Sequence, residues 1–200
     1  MSNRAEHAAV FAEPGMCRAV FLTLINDGRS ETLSRLIEDV VGCGSLVSED
    51  HLVLSLAADR GWGQICMDLV KAGACTESRS PNGQTALIGA SHRANSTAIK
   101  ILLDVGADVN AHDKRGWTPL LAACSAFWDQ GRFKAVKLLV KAGSDLNAKA
   151  HEGQTALSVL AARGDKSSSV WIQKKMAEKL RDEWHAELAQ PPSKARPHRV

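Results

Sequence analysis

Glycine recurs through this chain at a fixed interval of 33 residues, most clearly from Gly73 to Gly106 and from Gly83 to Gly116. In both series the following interval is 37 residues, which indicates that one unit of the repeat contains four extra residues. A unit of this length is one supersecondary element, too small to bury a hydrophobic core alone. Successive units must therefore stack, and we expect a solenoid in which each unit contacts only its neighbours.

A second series of small residues indicates the number of units. Gly28, Gly61, Ala94, Gly131 and Gly164 follow one another at 33 residues, except for an interval of 37 residues between Ala94 and Gly131. Both series place the four extra residues in the same unit. The sequence therefore predicts five units, of which the first keeps only its apolar pattern and its glycine.

Each unit carries the signals of two short helices. A threonine precedes the first helix in three units, where its side chain can accept hydrogen bonds from the first-turn N–H groups. Pro119 suits the first helical position, where its missing donor costs nothing. The second helix has apolar residues at helical spacing and ends at a glycine that can adopt the left-handed conformation. The threonines are Thr85, Thr118 and Thr155, and the glycines are Gly73, Gly106 and Gly143.

These motifs resemble the ankyrin repeat. The helix starts are Thr85-Ala86-Leu87, Thr118-Pro119-Leu120 and Thr155-Ala156-Leu157, and the unit ends are Gly106-Ala107-Asp108-Val109-Asn110 and Gly143-Ser144-Asp145-Leu146-Asn147. The resemblance is clearest over residues 47–165 and implies an all-α ankyrin-repeat solenoid with short hairpin tips. It does not extend to the histidine that often follows the threonine motif and bonds the next repeat. That histidine is replaced here by Ile88, Leu121 or Ser158.

The composition of the chain divides it into four predicted segments. We expect an N-terminal tail at 1–14, the ankyrin-repeat solenoid at 15–168, a long C-terminal capping helix at 169–189 and a disordered basic tail at 190–200. Outermost repeats need a cap because their apolar side would otherwise face water. The C-terminal helix is expected to fold over the fifth unit through an apolar stripe, and a role in binding a partner is the alternative. The stripe is Ala177, Leu180, Trp184 and Leu188.

The four extra residues of the fourth unit fall between Cys124 and Arg132. Four residues make about one helical turn, so a helix can lengthen by that amount without rotating its buried face. The sequence predicts that the first helix of this unit is the one that lengthens. Phe127 and Trp128 would then project beyond the line of the neighbouring units.

The composition is that of a soluble protein, with 44% hydrophobic and 24% charged residues among 200. No uninterrupted apolar run is long enough to span a membrane, and the first residues lack the apolar core of a signal peptide. The chain has five cysteines without a C-x-x-C pair, namely Cys17, Cys43, Cys66, Cys75 and Cys124. We expect them to be buried, reduced thiols of a cytoplasmic protein; a nuclear or host-delivered protein is the open alternative.

No catalytic motif is present: the sequence lacks the P-loop, the nucleophile elbow, the zinc-protease motif and the dinucleotide-binding glycines. His112 and His151 occupy near-equivalent positions between units, which favours turn residues over metal ligands. Asn110 and Asn147 resemble asparagines that are hydroxylated in some ankyrin proteins, but a hydrogen bond to their own turn is the favoured interpretation. We therefore predict no enzyme activity, no cofactor and no metal.

Ankyrin-like stacks display their hairpin tips and the ends of their first helices on one side, which forms a concave groove. At these positions the sequence has cationic and tryptophan side chains, the composition of binding hot spots. It therefore predicts a non-catalytic protein–protein interaction module, an adaptor, scaffold, inhibitor or regulatory subunit, whose groove binds an acidic segment of a partner protein. The predicted partner-binding residues are Arg60, His92, Arg93, Lys114, Arg115, Trp117, Trp128 and Arg163.

A basic outer ridge on the last two units supports the alternative function, a platform for nucleic acid or an anionic membrane. Residues 131–181 hold 11 basic against 4 acidic side chains. The ridge has no aromatic side chains placed for base stacking, by the sequence pattern alone. Its predicted members are Arg132, Lys134, Lys137, Lys141, Lys166, Lys174, Lys175 and Lys179. A monomer is expected, as for any capped solenoid.

Overall fold

A computed structural model describes Thr23 and residues 31–32, 51–71, 73–127 and 129–188. The predicted N-terminal tail and basic C-terminal tail lie outside the described residues, and so does the first predicted unit apart from Thr23 and residues 31–32. Trp128, Cys17 and Cys43 also lie outside them.

Eight helices lie between His51 and Leu188, and they form four consecutive pairs. First helices pack on first helices and second helices on second helices of the neighbouring pair. No residue of the described ranges is in a strand. This arrangement confirms the predicted all-α solenoid. The helices are α1 (His51–Arg60), α2 (Gly63–Lys71), α3 (Ala86–His92), α4 (Ser96–Asp104), α5 (Pro119–Ser125), α6 (Asp129–Lys141), α7 (Ala156–Arg163) and α8 (Lys166–Leu188).

The predicted threonine caps are confirmed at α3, α5 and α7. Thr85 and Thr118 each accept a hydrogen bond from the backbone N–H three residues on, at 3.4 and 3.3 Å. Thr155 does the same at 3.2 Å, and Ser158 returns the bond by accepting from the Thr155 N–H at 2.9 Å. Ser158 thus completes a capping box at the position where the family often has histidine.

The loops that connect the pairs contain hairpin turns, which stack on one another through their backbones. In the hairpin before α5, Asp113 N–H donates to Trp117 O at 3.1 Å, and Gly116 N–H donates to Asp113 O at 3.0 Å. Between hairpins, Lys114 N–H donates to Asn82 O at 3.2 Å. The hairpin before α7 repeats the inter-unit bond, from His151 N–H to the carbonyl of Arg115 at 3.0 Å. These bonds link the units without the family's histidine.

The core runs continuously through the stack because small residues let the first helices approach closely. Ala57, Ala90 and Ala123 are fully buried, one on each of three successive first helices. Larger side chains fill the space between the two layers of helices, with Leu102 and Leu139 both fully buried on the second helices. Each unit therefore completes its core with its neighbours, as the repeat length requires.

The prediction that the four extra residues lengthen the first helix of the fourth unit is wrong. α5 has 7 residues, like α3, whereas α6 has 13 residues against 9 in α4. α5 ends at Ser125 because Ala126 adopts an extended conformation, with φ −56° and ψ 140°. The additional turn belongs to the second helix, and it begins after Phe127.

Gly131 therefore lies inside α6, whereas the other described members of its series end first helices. Gly61, Ala94 and Gly164 do end their first helices with positive φ, at 83°, 53° and 71°. Gly131 instead packs against the α3–α4 turn, where an added Cβ would lie 2.9 Å from the carbonyl oxygen of Ala94. A glycine at this position allows the lengthened helix to contact the preceding unit.

The long helix α8 packs on α7 and α6 through its N-terminal half. Ile172 is fully buried, and Trp171 and Met176 are half-buried against the core. The expected apolar stripe is not the contact surface, because Leu180 and Trp184 are 65% and 59% exposed. Both side chains are therefore open to solvent on the described structure.

Candidate functional site

A cavity of about 320 Å³ opens on the side of the stack that carries the hairpin tips. Its floor includes Ile88 of α3 and Ala122 of α5, both buried. Four of the predicted partner-binding residues line it together: His92, Arg115, Trp117 and Arg163. Phe127, which was not among the predicted binding residues, completes the lining of its outer edge.

The other predicted residues do not line this cavity. Arg60 ends α1 and Arg93 follows α3, both toward the N-terminal end of the described stack. Lys114 lies exposed at the hairpin tip beside Arg115, and its stem covers Gly83 of the preceding hairpin. Trp128 lies outside the described residues. The binding role of all eight residues stays a prediction.

The hairpin before α5 holds Arg115 and Trp117 in a fixed backbone. The buried carboxylate of Asp113 accepts from the N–H groups of both residues, at 2.8 and 2.9 Å. The Arg115 guanidinium then lies 5.7 Å from the centroid of the Trp117 ring, within range of a cation–π interaction. Arg115 and Trp117 thus project from a hairpin tip whose backbone N–H donors are bonded by the carboxylate of Asp113.

A second cation–aromatic pair also lines the cavity. The guanidinium of Arg163, at the end of α7, is 4.4 Å from the ring centroid of Phe127. Phe127 is 74% exposed, in the loop that leads into the lengthened helix α6. Sequence reasoning placed this aromatic in the insertion but selected the adjacent Trp128. An exposed aromatic at the start of an insertion was the signal that could have identified Phe127.

Arg93 is held by a carboxylate of the preceding unit. Its guanidinium bonds both carboxylate oxygens of Asp59 at 3.2 and 3.3 Å. This hydrogen bonding, and then the charge of Asp59, raises the pKa of Arg93. By contrast, neither Arg115 nor Arg163 forms an ion pair with any described residue. The cavity therefore contains two guanidinium groups that form no ion pair with a described carboxylate, and the carboxylate of Asp113, which also lines it, is bonded to backbone N–H groups.

Arg132 is not part of an exposed ridge, contrary to the prediction. It is 2% exposed, and its guanidinium donates twice to the carbonyl of Ala126, at 3.0 and 2.6 Å, and once to Asp165 at 3.2 Å. Asp165 also accepts from the backbone N–H and the hydroxyl of Ser168 at the start of α8, at 2.9 and 2.7 Å. Burial raises the pKa of Asp165, but the bonds from Ser168 and Arg132 outweigh it, and the pKa is lowered.

Two lysines of the ridge, Lys137 and Lys175, lie over a pair of aromatic rings that the sequence pattern did not indicate. Phe133 and Trp171 meet edge to face, with centroids 6.1 Å apart and an interplanar angle of 83°. Lys137 Nζ lies 4.4 Å from the Phe133 centroid, and Lys175 bonds Glu178 at 2.6 Å. Because Arg132 is buried and Lys175 pairs with Glu178, the ridge exposes fewer unpaired cations than the sequence predicted.

The cysteines are not uniformly buried as expected. Burial raises the pKa of Cys66 and of Cys124 to about 12, so both thiols stay protonated at neutral pH. Cys75 is exposed in the loop after α2. The described residues contain no group of three or more histidine, cysteine or acidic side chains placed to hold a metal ion. None of the described helices is long and apolar enough to cross a membrane.

Asn110 bonds the next unit rather than its own turn, contrary to the favoured interpretation. Its side-chain oxygen accepts from the backbone N–H of Asp145 at 2.8 Å. Glu77, one repeat earlier, makes the equivalent bond to the N–H of Asp108 at 2.9 Å. The side chain at this repeat position therefore links successive units.

Comparison with known proteins agrees with this architecture. A family model described as three copies of the ankyrin repeat matches residues 54–150 and 90–180. Protein phosphatase 1 regulatory subunit 27 of Homo sapiens is 44% identical over 45 residues, and so is its Mus musculus counterpart. The matched segment covers 22% of this chain and only 29% of the length of either relative. Because the family model spans well over half of the sequence, the chain belongs to the ankyrin repeat family.

Proposed function

We propose that this protein is a non-catalytic protein-interaction module that binds a segment of a partner protein in the concave groove. The observation that carries the proposal is the pair of guanidinium groups, Arg115 and Arg163, that face one cavity beside Trp117 and Phe127. Arginine and tryptophan dominate binding hot spots because they combine a large contact area with directed hydrogen bonds.

The family and its relatives support the same class of activity. Ankyrin repeats form stacked units with extended concave binding surfaces. The relatives that match this chain are named as regulatory subunits of a protein phosphatase, which supports a regulatory or adaptor role. In this proposal the protein is a cytoplasmic monomer that recognises a segment of another protein and catalyses no reaction.

The test is a pull-down from the native source at moderate salt, with and without nuclease. The tagged full-length chain is compared with R115Q/R163Q, which removes both groove cations. The matched control is K71Q/K100Q, which removes two exposed cations from α2 and α4, away from the groove.

A nuclease-resistant protein recovered with the wild type and the control, but lost with R115Q/R163Q, supports the proposal. Recovery of the same protein with all three chains would overturn the assignment of the groove. Recovery of nucleic acid alone would overturn the protein-binding function.

The basic ridge is the second candidate surface, for nucleic acid or an anionic membrane. It is favoured by the exposed Lys134 and Lys174 and by Lys137, whose Nζ lies 4.4 Å from the ring centroid of Phe133. Binding through such a surface depends steeply on salt, because each neutralised phosphate releases counterions. Affinity that collapses between low and moderate salt, and that K134Q/K174Q weakens, supports this surface instead of the groove.

A further inference from the structure

We propose that the groove binds a peptide in which an aspartate or glutamate lies beside an aromatic or large aliphatic residue. The carboxylate bonds Arg115 or Arg163, and the neighbouring apolar side chain packs on Phe127 and the buried residues of the cavity lining. This inference rests on the proposed function, because it names the chemistry of the segment that the same groove would accept.

The cavity offers a ligand positive charge. Two other arginines of the stack are paired across units, Arg93 with Asp59 and Arg132 with Asp165, each at 3.2 Å. Arg115 and Arg163 line the cavity without an ion pair to any described residue, because the Asp113 carboxylate in the same lining is bonded to backbone N–H groups. A ligand carboxylate would provide the partner that the repeat supplies to the other two.

Each guanidinium also lies over an aromatic ring. The distance from its central carbon to the ring centroid is 5.7 Å for Arg115 and Trp117 and 4.4 Å for Arg163 and Phe127. A guanidinium carries five N–H donors, and a carboxylate can accept two parallel bonds from them.

Part of the cavity lining is apolar. It includes the buried side chains of Ile88 and Ala122 and the ring of Phe127, which is 74% exposed. Covering such an exposed ring with a second apolar side chain removes apolar surface from water and lowers the free energy. A peptide with only acidic residues would leave this surface uncovered, so the segment needs an apolar neighbour.

The charges next to the cavity and its volume favour a peptide over a nucleic acid. A nucleic acid strand needs a line of cations along its phosphates, whereas the next hairpin after Arg115 presents the exposed carboxylate of Glu152. The cavity of about 320 Å³ is at the small end of ligand sites. It suits a few side chains of an extended peptide.

The experiment selects random 12-residue peptides, displayed on phage, against the full-length chain at moderate salt. We expect the enriched peptides to contain an acidic residue within two positions of an aromatic or large aliphatic residue. Synthetic copies are then titrated by fluorescence anisotropy. R115Q/R163Q is expected to weaken binding at least tenfold, and F127A several-fold. K71Q/K100Q is the control with the same charge change, expected within twofold of the wild type.

Two further arms make the result decisive. Replacing the acidic residue of the peptide by its amide should cost the wild type about tenfold and R115Q/R163Q almost nothing. A 20-nucleotide oligouridylate is titrated in parallel. Circular dichroism melting of each variant verifies folding, because the substituted side chains are exposed or half-buried and their loss should leave helicity unchanged.

The inference is overturned if no peptide is enriched, if the enriched peptides lack acidic residues, or if R115Q/R163Q binds them as the wild type does. Binding of the oligonucleotide but of no peptide also overturns it. In each case the pull-down separates the two proposals. A native partner that is lost with R115Q/R163Q preserves the proposed function while the acidic-peptide chemistry fails.

Discussion

The concave groove and the contact between the last two units both contain arginines, yet they use them differently. In the groove, Arg115 and Arg163 lie against rings and form no ion pair with a described residue. At the contact between the last two units, Arg132 is buried and bonds both Asp165 and a backbone carbonyl. The difference shows that residue type alone does not decide whether a cation binds a partner or stabilises the stack.

Repeat geometry explains the difference. Arg132 and Asp165 are 33 residues apart, and Arg93 and Asp59 are 34 apart, so each ion pair joins neighbouring units at nearly equivalent positions. At the tip position of Arg115, the next unit presents Glu152, whose carboxylate is bonded instead by the side chain of Gln154 at 2.6 Å. An arginine becomes structural where the adjacent unit supplies an acceptor within reach.

Removing the buried acceptor should have the largest effect on stability. Asp165→Ser keeps a hydroxyl that can cap α8 but leaves the Arg132 charge buried without its carboxylate. We expect the free energy of unfolding to fall by about 3–5 kcal/mol, because an uncompensated buried charge is costly. Urea unfolding followed by circular dichroism measures the loss.

The double variant R132M/D165S is the control for this comparison. It removes the buried charge together with its partner, so it should be more stable than D165S alone. If D165S unfolds within about 1 kcal/mol of the wild type, which is the range of an exposed pair, the structural role assigned to Arg132 is wrong.

The same pair should make stability depend on acid. The folded-state pKa of Asp165 is lowered, so its contribution is fully present above the ordinary aspartate pKa of about 3.9. It is lost as the pH falls from there through the folded-state value, because the unfolded chain then binds the proton more readily. Unfolding midpoints between pH 6 and pH 3 should fall more steeply for the wild type than for D165S. Parallel curves would contradict the assignment.

Much of this fold was predictable from sequence because its signals are local and periodic. The caps at Thr85 and Thr118 and the left-handed glycines Gly73, Gly106 and Gly143 depend on nearest neighbours along the chain, and the structure confirms each. The inserted turn was assigned to the wrong helix for the opposite reason. Its location depends on Gly131 approaching Ala94 of the preceding unit, a contact between units that the repeat interval does not encode.

The candidate groove was predictable only in part. Register with the repeat identified His92, Arg115, Trp117 and Arg163, because tip and helix-end positions follow from the period. It could not separate these from Arg93, nor show that Arg132 is buried rather than part of the outer ridge, since pairing depends on which acid the adjacent unit places nearby. Phe127 was missed because the loop before α6 interrupts the register that located the other residues.

Loss of the exposed ion pair should have the smallest effect and should sharpen the contrast with the groove. Arg93→Gln breaks the bond to Asp59, but the two side chains are 52% and 42% exposed. Pairs this open to solvent contribute about 0–1 kcal/mol, so the unfolding midpoint should barely move. Because Arg93 does not line the cavity, peptides selected on the groove should bind R93Q within twofold of the wild type. A tenfold loss with R93Q would extend the binding surface to α1 and α3, and would mean that a paired arginine can also serve recognition.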